Sequence, residues 1–414
     1  MNIYPLPELI DYVRKHSPFY RDLYAKVKGH ELRNLPLVPQ VEFWKQNSWR
    51  GNRVLTGRPE GGVLFKSGGT TGEPKFSVFT QDEWDSFTEA FGAGMAKGGL
   101  SPGERVGNIF YVGDLYASFL FIMKSMENAP VSALHFPISG ALSPEAILKV
   151  VAEYELTTLA GVPTSLLQLA SHLRGNGKTC PSIKKILFGG ESMYPDQRAE
   201  FASVMPGVRV QSIGYASVDA GLLGYVTPAC EPEVHHTFGE TTIIEIIDPE
   251  TQEPIEEVGQ PGYAVLTNLT RRLMPILRYP VGDMAEWVDP PGTPDRRLVI
   301  KGRSEEGARV GPTTMYFEDV LSVLLEFRDQ LGPFQFQLCV HHHGLKDELV
   351  IRLAADGRLA DSTILGRLAE SRPMLAAGVA GGIIHPPRLE WVARTELAVN
   401  PRTGKHRRIL DLRK

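Results

Sequence analysis

The sequence predicts an α/β protein with a large N-terminal domain and a small C-terminal one. Between residues 130 and 212, short apolar runs alternate with segments of helical spacing, which is typical of parallel strands covered by helices. After residue 302 a second series of strands and helices begins, and its length fits a small α+β domain. We therefore expect mixed and parallel sheets in a domain over residues 1–302, a hinge at 303–306 and a mobile lid domain over 307–414.

Charge and cysteine content narrow the classes of function. The chain has 414 residues, and 44 Lys and Arg against 48 Asp and Glu give a formal charge of 44 − 48 = −4. No global basic field therefore favours nucleic acid or an anionic membrane, and a small-molecule substrate is the simpler expectation. Three widely spaced cysteines suit a reducing compartment rather than a disulfide framework. Since the N-terminus also lacks a signal-peptide pattern, we expect a cytoplasmic protein.

The spacing of apolar residues places the helices and strands. We expect helices over 7–27 (broken at Pro18), 81–97, 144–154, 163–173, 195–205 and 362–370, and a buried helix over 115–123. Strands are expected over 62–65, 76–80, 131–135, 158–162, 184–188, 208–211, 241–247, 262–267, 334–338, 348–352 and 388–392, and residues 105–113 are expected to form a strand that runs into an aromatic, glycine-bearing turn. In the helix 81–97, Trp84, Phe87, Phe91 and Met95 share one face, which core packing explains without a cofactor.

A loop rich in glycine and hydroxyl residues, Ser67-Gly68-Gly69-Thr70-Thr71-Gly72-Glu73-Pro74-Lys75, joins two of these strands. Its glycines tolerate positive φ, and its N–H groups and hydroxyls can curl around an anion, so phosphate is the natural ligand. The spacing differs from the Walker pattern, because Glu73 and Pro74 separate Gly72 from Lys75 and the next element is a strand. Taken alone, the loop is equally typical of a plain hairpin turn.

Two further loops follow strands whose carboxyl ends should meet at one edge of the parallel sheet, where ligands collect in such folds. Gly189-Gly190-Glu191-Ser192 follows one strand, and residues 212–219 follow the next. Later in the chain, Asp283 ends the string Arg278-Tyr279-Pro280-Val281-Gly282-Asp283. Its ionised carboxylate can accept two hydrogen bonds, although Gly-Asp is also common at the tip of a hairpin.

Three strings, in this order along the chain, resemble motifs of the adenylate-forming superfamily, which includes acyl-CoA synthetases, nonribosomal adenylation domains and luciferase. They are the loop 67–75, the string 278–283 and Asn400-Pro401-Arg402-Thr403-Gly404-Lys405. His16-Ser17-Pro18-Phe19-Tyr20-Arg21 is similar to the N-terminal signature of phenylacetate-CoA ligases, a compact branch of that superfamily. The resemblance implies an adenylation domain over residues 1–302 and ATP, Mg²⁺ and CoA as cofactors.

The same resemblance implies roles for individual residues. Lys405 would stabilise charge on the α-phosphate and Asp219 would hold Mg²⁺. Tyr215 would stack on adenine, Asp283 would bind the ribose hydroxyls, and Glu305 would be the hinge. Arg309-Val310-Gly311 would lie on the face that meets the acyl acceptor. The other phosphate- and nucleotide-binding residues would be Ser67, Gly68, Gly69, Thr70, Thr71, Gly72, Lys75, Gly190, Glu191, Ser192, Ala216, Ser217 and Arg303.

An acid-binding pocket is implied as well. Its candidate residues are Phe110, Tyr111, Gly113, Tyr116, Gly189 and Gly214, although aromatic residues beside a buried helix are more often core. Two positions depart from the superfamily pattern. Ala216 stands where a glycine is usual, and Val218 replaces a Ser or Thr whose hydroxyl touches the α-phosphate, unless Ser217 supplies it.

Cys230, His235 and His236 are weak candidates for a structural zinc site of the kind that some phenylacetate-CoA ligase relatives carry. A structural zinc normally takes four ligands, so this set is short. Solvent-facing histidines in a hairpin are the simpler interpretation.

Together, these observations predict an enzyme that activates an aryl carboxylic acid as its acyl-adenylate and transfers the acyl group to CoA, in aromatic antibiotic or other secondary metabolism. One alternative passes the acyl group to an amine, a hydroxyl or a carrier-protein thiol. A second alternative is a nucleotide-binding protein without turnover, which Ala216 and Val218 would suit. The sequence leaves open the identity of the acid, the acceptor and the formation of a homodimer.

Overall fold

The structure, a computed structural model, describes residues 1–66, 76–303, 307–399 and 407–413. These residues form two compact units. The larger unit comprises 1–66, 76–193 and 198–301, and the smaller comprises 194–197, 302–303, 307–399 and 407–413. The expected hinge at 303–306 stays a prediction, because residues 304–306 lie outside the described part of the chain.

Within residues 1–303 the predicted helices and strands occur in the predicted order, together with several further short elements. The helices are α1 (Leu6–His16), α2 (Pro18–Leu23), α3 (Gln40–Gln46), α4 (Gln81–Lys97), α5 (Ser118–Asn128), α6 (Pro144–Glu153), α7 (Pro163–Gly175) and α8 (Pro195–Val204). The strands are β1 (Val63–Lys66), β2 (Phe76–Phe79), β3 (Arg105–Asn108), β4 (Leu134–Pro137), β5 (Thr158–Gly161), β6 (Lys185–Phe188), β7 (Arg209–Ser212), β8 (Tyr215–Ser217), β9 (Gly221–Gly224), β10 (Val234–His236), β11 (Thr242–Ile247), β12 (Gly262–Asn268), β13 (Tyr279–Trp287) and β14 (Arg297–Arg303).

A parallel sheet with the strand order β4-β3-β5-β6-β7 confirms the predicted fold class. Successive residues of a strand point to opposite faces, and along β5 Leu159 and Ala160 enter two different cores. Leu159 packs with apolar residues of α6, α7 and α8, whereas Ala160 packs with those of α4 and α5. Both faces of the sheet are therefore covered, which explains the continuous apolar character of its inner strands.

Helices α4 and α5 pack closely along the predicted apolar face of α4. The ring centres of Phe87 and Phe91 lie 4.6 and 4.7 Å, respectively, from the ring centre of Phe121 on α5. Burying a phenylalanine side chain of this kind stabilises the fold by about 1.5–3 kcal/mol. Gly92 allows the close approach, because a Cβ atom there would lie 2.3 Å from the carbonyl oxygen of Ser125. A larger residue at this position would push the two helices apart.

An antiparallel sheet with the order β10-β14-β13-β12-β11 follows in the chain, and β1–β2 and β8–β9 form separate two-stranded pairs. Asp283 lies inside strand β13 rather than at the tip of a hairpin. The register between β12 and β13 shifts at this point and Gly282 has a φ angle of 86°, so Asp283 lies at an irregularity of the strand.

The smaller unit has its own sheet and core. Its elements are β15 (Gly307–Val310), β16 (Thr313–Tyr316), α9 (Phe317–Glu326), α10 (Arg328–Leu331), β17 (Phe334–His343), β18 (Lys346–Ala355), α11 (Asp361–Ser371), α12 (Pro373–Ala380), β19 (Arg388–Trp391) and β20 (Ile409–Asp411). The strand order β19-β18-β17-β20 is mixed, and β15–β16 is a separate hairpin. Across the described ranges, no helix of either unit has the length and apolar character needed to cross a lipid bilayer.

The buried helix predicted over 115–123 begins later, at Ser118, and the residues before it form an irregular loop. Asp114 and Leu115 have φ angles of 45° and 61°, which a right-handed helix cannot contain. Strand β1 holds this loop: the Lys66 N–H donates to the Leu115 carbonyl at 2.9 Å, and Lys66 Nζ lies 3.1 Å from the Asp114 carboxylate. The helix prediction was therefore wrong for residues 115–117, because distant contacts override local apolar spacing.

Candidate functional site

The candidate site begins at the carboxyl edge of the parallel sheet. Because β3, β5, β6 and β7 run parallel, the loops that follow them meet at this edge. Main-chain hydrogen bonds connect neighbouring loops and strands: the Ile109 N–H donates to Ala160 at 2.8 Å and the Ile213 N–H donates to Phe188 at 2.7 Å. Ligands bind at such edges in open α/β sheets. The edge thus brings together the loops predicted to bind the acid and the nucleotide.

Two glycines let these loops approach each other. A Cβ atom at Gly189 would lie 2.9 Å from the Ile213 side chain and 3.7 Å from the Phe110 ring. Gly214 has a φ angle of 132°, and a Cβ atom there would lie 2.7 Å from the Phe91 ring. Replacing either glycine would force the neighbouring side chains to move.

Tyr215 and Asp283 are 68 residues apart in the sequence, and the structure brings them together: the Tyr215 hydroxyl donates a hydrogen bond to Asp283 Oδ2. Both residues are half-buried, Tyr215 on β8 and Asp283 on β13. The ring of Tyr215 offers a face for a purine, and the Asp283 carboxylate can accept hydrogen bonds from two ribose hydroxyls. The chemistry of this pair fits a nucleoside.

Asp219 is held by a turn and by a buried arginine. Ser217 Oγ accepts hydrogen bonds from the N–H groups of Asp219 and Ala220, at 3.2 and 3.4 Å. Arg271 Nη1 donates to the Asp219 carbonyl at 3.1 Å, and Arg271 Nη2 donates to the Val78 carbonyl on β2 at 3.1 Å. The half-buried carboxylate of Asp219 supplies the hard oxygen ligand that Mg²⁺ prefers. This residue type therefore fits the implied cation.

Arg271 is a site residue that sequence reasoning missed. It is 1% exposed, and its guanidinium lies 4.1 Å from the centre of the Phe79 ring. Burial lowers the pKa of Arg271 to about 10, while the charges of Glu83 and Asp219 raise it, so the group is charged at neutral pH. In the sequence, the adjacent basic residues Arg271 and Arg272 are typical of an exposed turn, because charged residues are seldom fully buried.

The loop after β6 contacts the beginning of α7. Glu191 Oε2 accepts hydrogen bonds from Thr164 Oγ1 at 2.7 Å and from the Thr164 N–H at 3.3 Å. A carboxylate at a helix N-terminus is favoured by the helix dipole. Gly190 has a φ angle of 83° and is exposed, as is Ser192, whereas Ala216 is half-buried. Glu191 thus fixes the loop whose other residues are predicted to meet the nucleotide.

The predicted acid-binding residues differ in their surroundings. Phe110 is 3% exposed and packs in the core, whereas Tyr111 and Tyr116 are 36% and 40% exposed. The hydroxyls of Tyr111 and Ser165 lie 2.9 Å apart. The Tyr116 N–H donates to the carbonyl of Gly113 at 2.8 Å, and Gly113 has a φ angle of 113°. The loop therefore exposes two tyrosine rings beside the sheet edge.

The candidate zinc ligands do not form a metal site. His235 Nε2 lies 3.1 Å from Ser212 Oγ, and its Nδ1 lies 3.0 Å from the Glu233 carbonyl. His236 Nδ1 lies 3.1 Å from the carbonyl of Asp295. Within the described ranges, no group of three or more Cys, His, Asp or Glu side chains could share a metal ion. The zinc candidacy of Cys230, His235 and His236 is therefore corrected: each histidine ring nitrogen named here has a protein partner.

His235 is also not the solvent-facing histidine that the sequence suggested, since it is 4% exposed. Burial lowers the pKa of His235 to about 4, a hydrogen bond to the Glu233 carbonyl opposes this change, and the neighbouring His236 adds to it. The imidazole is neutral at pH 7. Its ring centre lies 5.8 Å from that of Tyr215, so it supports the strand that carries the predicted adenine platform.

A separate cavity of about 210 Å³ lies beside β7. Its lining includes Arg198, Arg209, Gln211, Ser212 and Cys230, and none of the residues predicted to bind nucleotide or acid. The cavity is therefore not the predicted active site.

Several predicted site residues lie outside the described part of the chain. They are the loop residues Ser67, Gly68, Gly69, Thr70, Thr71, Gly72 and Lys75, the hinge residue Glu305 and the catalytic candidate Lys405; the side chain of Arg303 is not described either. Their roles stay predictions.

Comparison with known proteins supports the resemblance. Residues 63–268 match the family model of AMP-binding enzymes. Over 99% of its length the chain is 26% identical to the phenylacetate-coenzyme A ligase of Thermus thermophilus, of which it covers 95%. It is 27% identical to the indoleacetate–lysine synthetase of Pseudomonas savastanoi, over 66% of this chain and 64% of that protein.

A solved structure has the same fold. A 2-hydroxyisobutyryl-CoA ligase, crystallised with its acyl-AMP and CoA, aligns with a TM-score of 0.74 at 18% identity, covering 99% of this chain and 88% of that one. The family match runs from β1 to β12 and includes the loop 67–75, Tyr215 and Asp219. Together with the relatives, it confirms the resemblance inferred from the motifs.

Proposed function

We propose that the chain is a ligase of the adenylate-forming kind, which joins a carboxylic acid to AMP, releases pyrophosphate and then transfers the acyl group to CoA. The contact between Tyr215 and Asp283 carries the proposal. It unites a ring that can stack on adenine with a carboxylate that can hold ribose, two parts of one nucleotide. ATP would bind across this pair, with Mg²⁺ held by Asp219 and neutralising phosphate charge when bound.

The first step is an in-line displacement at the α-phosphate. A carboxylate oxygen of the acid forms a bond to phosphorus, and the bond from phosphorus to the bridging oxygen breaks, its electron pair leaving with pyrophosphate. Negative charge grows on the phosphate oxygens, which favours N–H donors and a lysine nearby. The loop 67–75 and Lys405 are the residues to which we assign these roles.

Ser217 can replace the hydroxyl that is missing at Val218. Among the residues that the structure describes, its Oγ accepts two hydrogen bonds from main-chain N–H groups, those of Asp219 and Ala220. A hydroxyl that accepts twice keeps its proton to donate. We assign this proton to an oxygen of the α-phosphate.

The second step moves the acyl group to the acceptor. The thiol sulfur of CoA attacks the acyl carbon, the bond from that carbon to the oxygen of AMP breaks, and the thiol proton is released. The hairpin turn after Val310 is our candidate for the surface that faces CoA. Gly311 has a φ angle of 55°, and a Cβ atom there would lie 2.6 Å from Ile384. Its N–H donates to Asp347 Oδ2 at 2.9 Å, which fixes the turn.

The preferred substrate is an aryl acid, because the loop after β3 places the aromatic rings of Tyr111 and Tyr116 at the sheet edge. A place in aromatic antibiotic or other secondary metabolism is part of this proposal. An amine acceptor is the second candidate, favoured by the likeness to an indoleacetate–lysine synthetase.

Pyrophosphate release tests the proposal. The purified protein is incubated with ATP, Mg²⁺ and a panel of aryl and alkyl acids, with and without CoA, and products are identified by mass. Acid-dependent release with acyl-CoA formed is the expected result. Acyl-AMP that accumulates despite CoA would point to another acceptor, which a parallel series with lysine and other amines would identify. A protein that binds ATP but releases no pyrophosphate with any acid would contradict the proposal.

A further inference from the structure

The loop after β3 and the first turn of α7 meet through two hydroxyl groups. Ser165 Oγ and the Tyr111 hydroxyl lie 2.9 Å apart, at the carboxyl edge shared by β3 and β5. Ser165 is 3% exposed, whereas Tyr111 is 36% exposed. The pair therefore has a buried end in the protein and an open end at the tyrosine. Its position is beside the loops that the proposed function assigns to the acid.

The pair has one proton more than its internal hydrogen bond uses. Each hydroxyl carries one O–H proton, and a single hydrogen bond between Ser165 and Tyr111 consumes one of them. Whichever hydroxyl donates, the other keeps a proton for a third group. Within the described part of the chain, neither hydroxyl makes another hydrogen bond. The open end of the pair can therefore donate to a ligand.

Most side chains next to the two residues in the sequence are apolar, and two of them are buried. Phe110, before Tyr111, is 3% exposed and Leu166, after Ser165, is 1% exposed, whereas Val112, after Tyr111, is 48% exposed. Thr164, the neighbouring hydroxyl, already donates to Glu191 at 2.7 Å. A site that pairs with a substrate hydroxyl or carbonyl discriminates against an analogue without it more strongly than an apolar pocket discriminates by size.

From these observations, and resting on the proposed function, we propose that Tyr111 and Ser165 together select an acid whose ring carries a hydrogen-bond acceptor, such as a hydroxyl, methoxy or carbonyl group. Tyr111 touches the substituent. Ser165 acts through Tyr111 by fixing the direction of its hydroxyl. The substrate class is thereby narrowed from aryl acids to oxygen-substituted aryl acids.

The test compares matched acids. Phenylacetate and benzoate are each assayed against their hydroxy, methoxy and acetyl ring isomers, with kcat/KM measured by acid-dependent pyrophosphate release. The wild type should prefer at least one oxygen-substituted isomer by about tenfold, the equivalent of one well-placed hydrogen bond. Tyr111→Phe should abolish that preference, so that the ratio of kcat/KM for the two acids of a pair falls by about tenfold. Ser165→Ala should reduce the preference in the same direction.

Two controls separate this role from a structural one. Tyr154→Phe, at an exposed position after α6, removes the same atom and should leave the preference intact. Thermal unfolding of each variant shows whether folding has changed. Because the two hydroxyls act as a unit, the double variant should lose no more selectivity than Tyr111→Phe alone.

The outcomes distinguish this inference from the function on which it rests. Pyrophosphate release without any preference for oxygen-substituted acids would overturn the inference but would still support the proposed ligase function. An equal loss of activity on both acids of a pair in Tyr111→Phe would also overturn it. No release with any acid would overturn both. A preference that disappears in Tyr111→Phe and persists in Tyr154→Phe is the supporting result.

Discussion

Lowering the pH from 7 to 5 should decrease the free energy of unfolding by about 2 kcal/mol through His235 alone. The unfolded chain takes up this proton near pH 6.5, whereas burial keeps the folded imidazole neutral down to a pKa of about 4. Between these values the unfolded state binds more protons, so stability falls as the pH falls. The contribution is fully present well above pH 6.5 and is lost progressively as the pH falls, and the full difference of about 3.4 kcal/mol is reached below pH 4.

Urea unfolding followed by tryptophan fluorescence at pH 5, 6 and 7 measures this loss. His235→Gln removes the titrating group. Between pH 7 and pH 5, its free energy of unfolding should therefore fall by about 2 kcal/mol less than that of the wild type, whatever its stability at pH 7. His16→Gln, at an exposed position, is the matched control for the loss of a histidine. Equal slopes for the wild type and His235→Gln would refute the reasoning, since the buried imidazole would then carry no penalty for protonation.

Three substitutions test the assigned roles. Asp283→Asn should raise the KM for ATP by about 10–100-fold in the pyrophosphate assay, because a neutral amide replaces the charged acceptor of the ribose hydroxyls; an unchanged KM would remove Asp283 from the site. Lys405→Ala should slow acyl-adenylate formation by about 10²–10³-fold with little effect on acyl transfer from preformed acyl-AMP, and the reverse pattern would contradict its role. Asp347→Asn should instead slow acyl transfer without slowing pyrophosphate release, because the buried Asp347 carboxylate holds the turn at Gly311. The same variant should lower the free energy of unfolding by about 1–3 kcal/mol. The exposed Asp356→Asn should do neither.

The fold was largely predictable because its apolar spacing is regular. The helix predicted over 81–97 has those bounds in the structure, and β5, β6 and β7 were placed within one residue, whereas β4 begins three residues later than predicted. One exception is the loop before α5, where Leu115 belongs to an apolar run but its carbonyl accepts a hydrogen bond from the Lys66 N–H. A contact between residues far apart in the sequence leaves no local pattern, so the spacing of apolar residues could not have predicted it.

The candidate site was predictable in part, and for a different reason. Tyr215 and Asp283 could be named from their motifs, and the structure places them in contact. Arg271 and Ser165 could not, and His235 was named only as a zinc candidate, because each acts through a hydrogen bond to another residue and belongs to no motif. Sequence patterns identify groups that touch a ligand more readily than groups that hold those groups in place.

Two buried polar side chains lie next to residues of the candidate site. Arg271 and His235 are both nearly fully buried, and burial opposes the charged form of each. Neither is a strong source of stability, since apolar replacements of buried charged or polar groups are often neutral or stabilising. Yet Arg271 binds the carbonyl of Asp219, and His235 binds Ser212, three residues before Tyr215. We infer that these groups fix the loops carrying the predicted metal ligand and the predicted adenine platform, and that apolar replacements would release those loops before they unfold the protein.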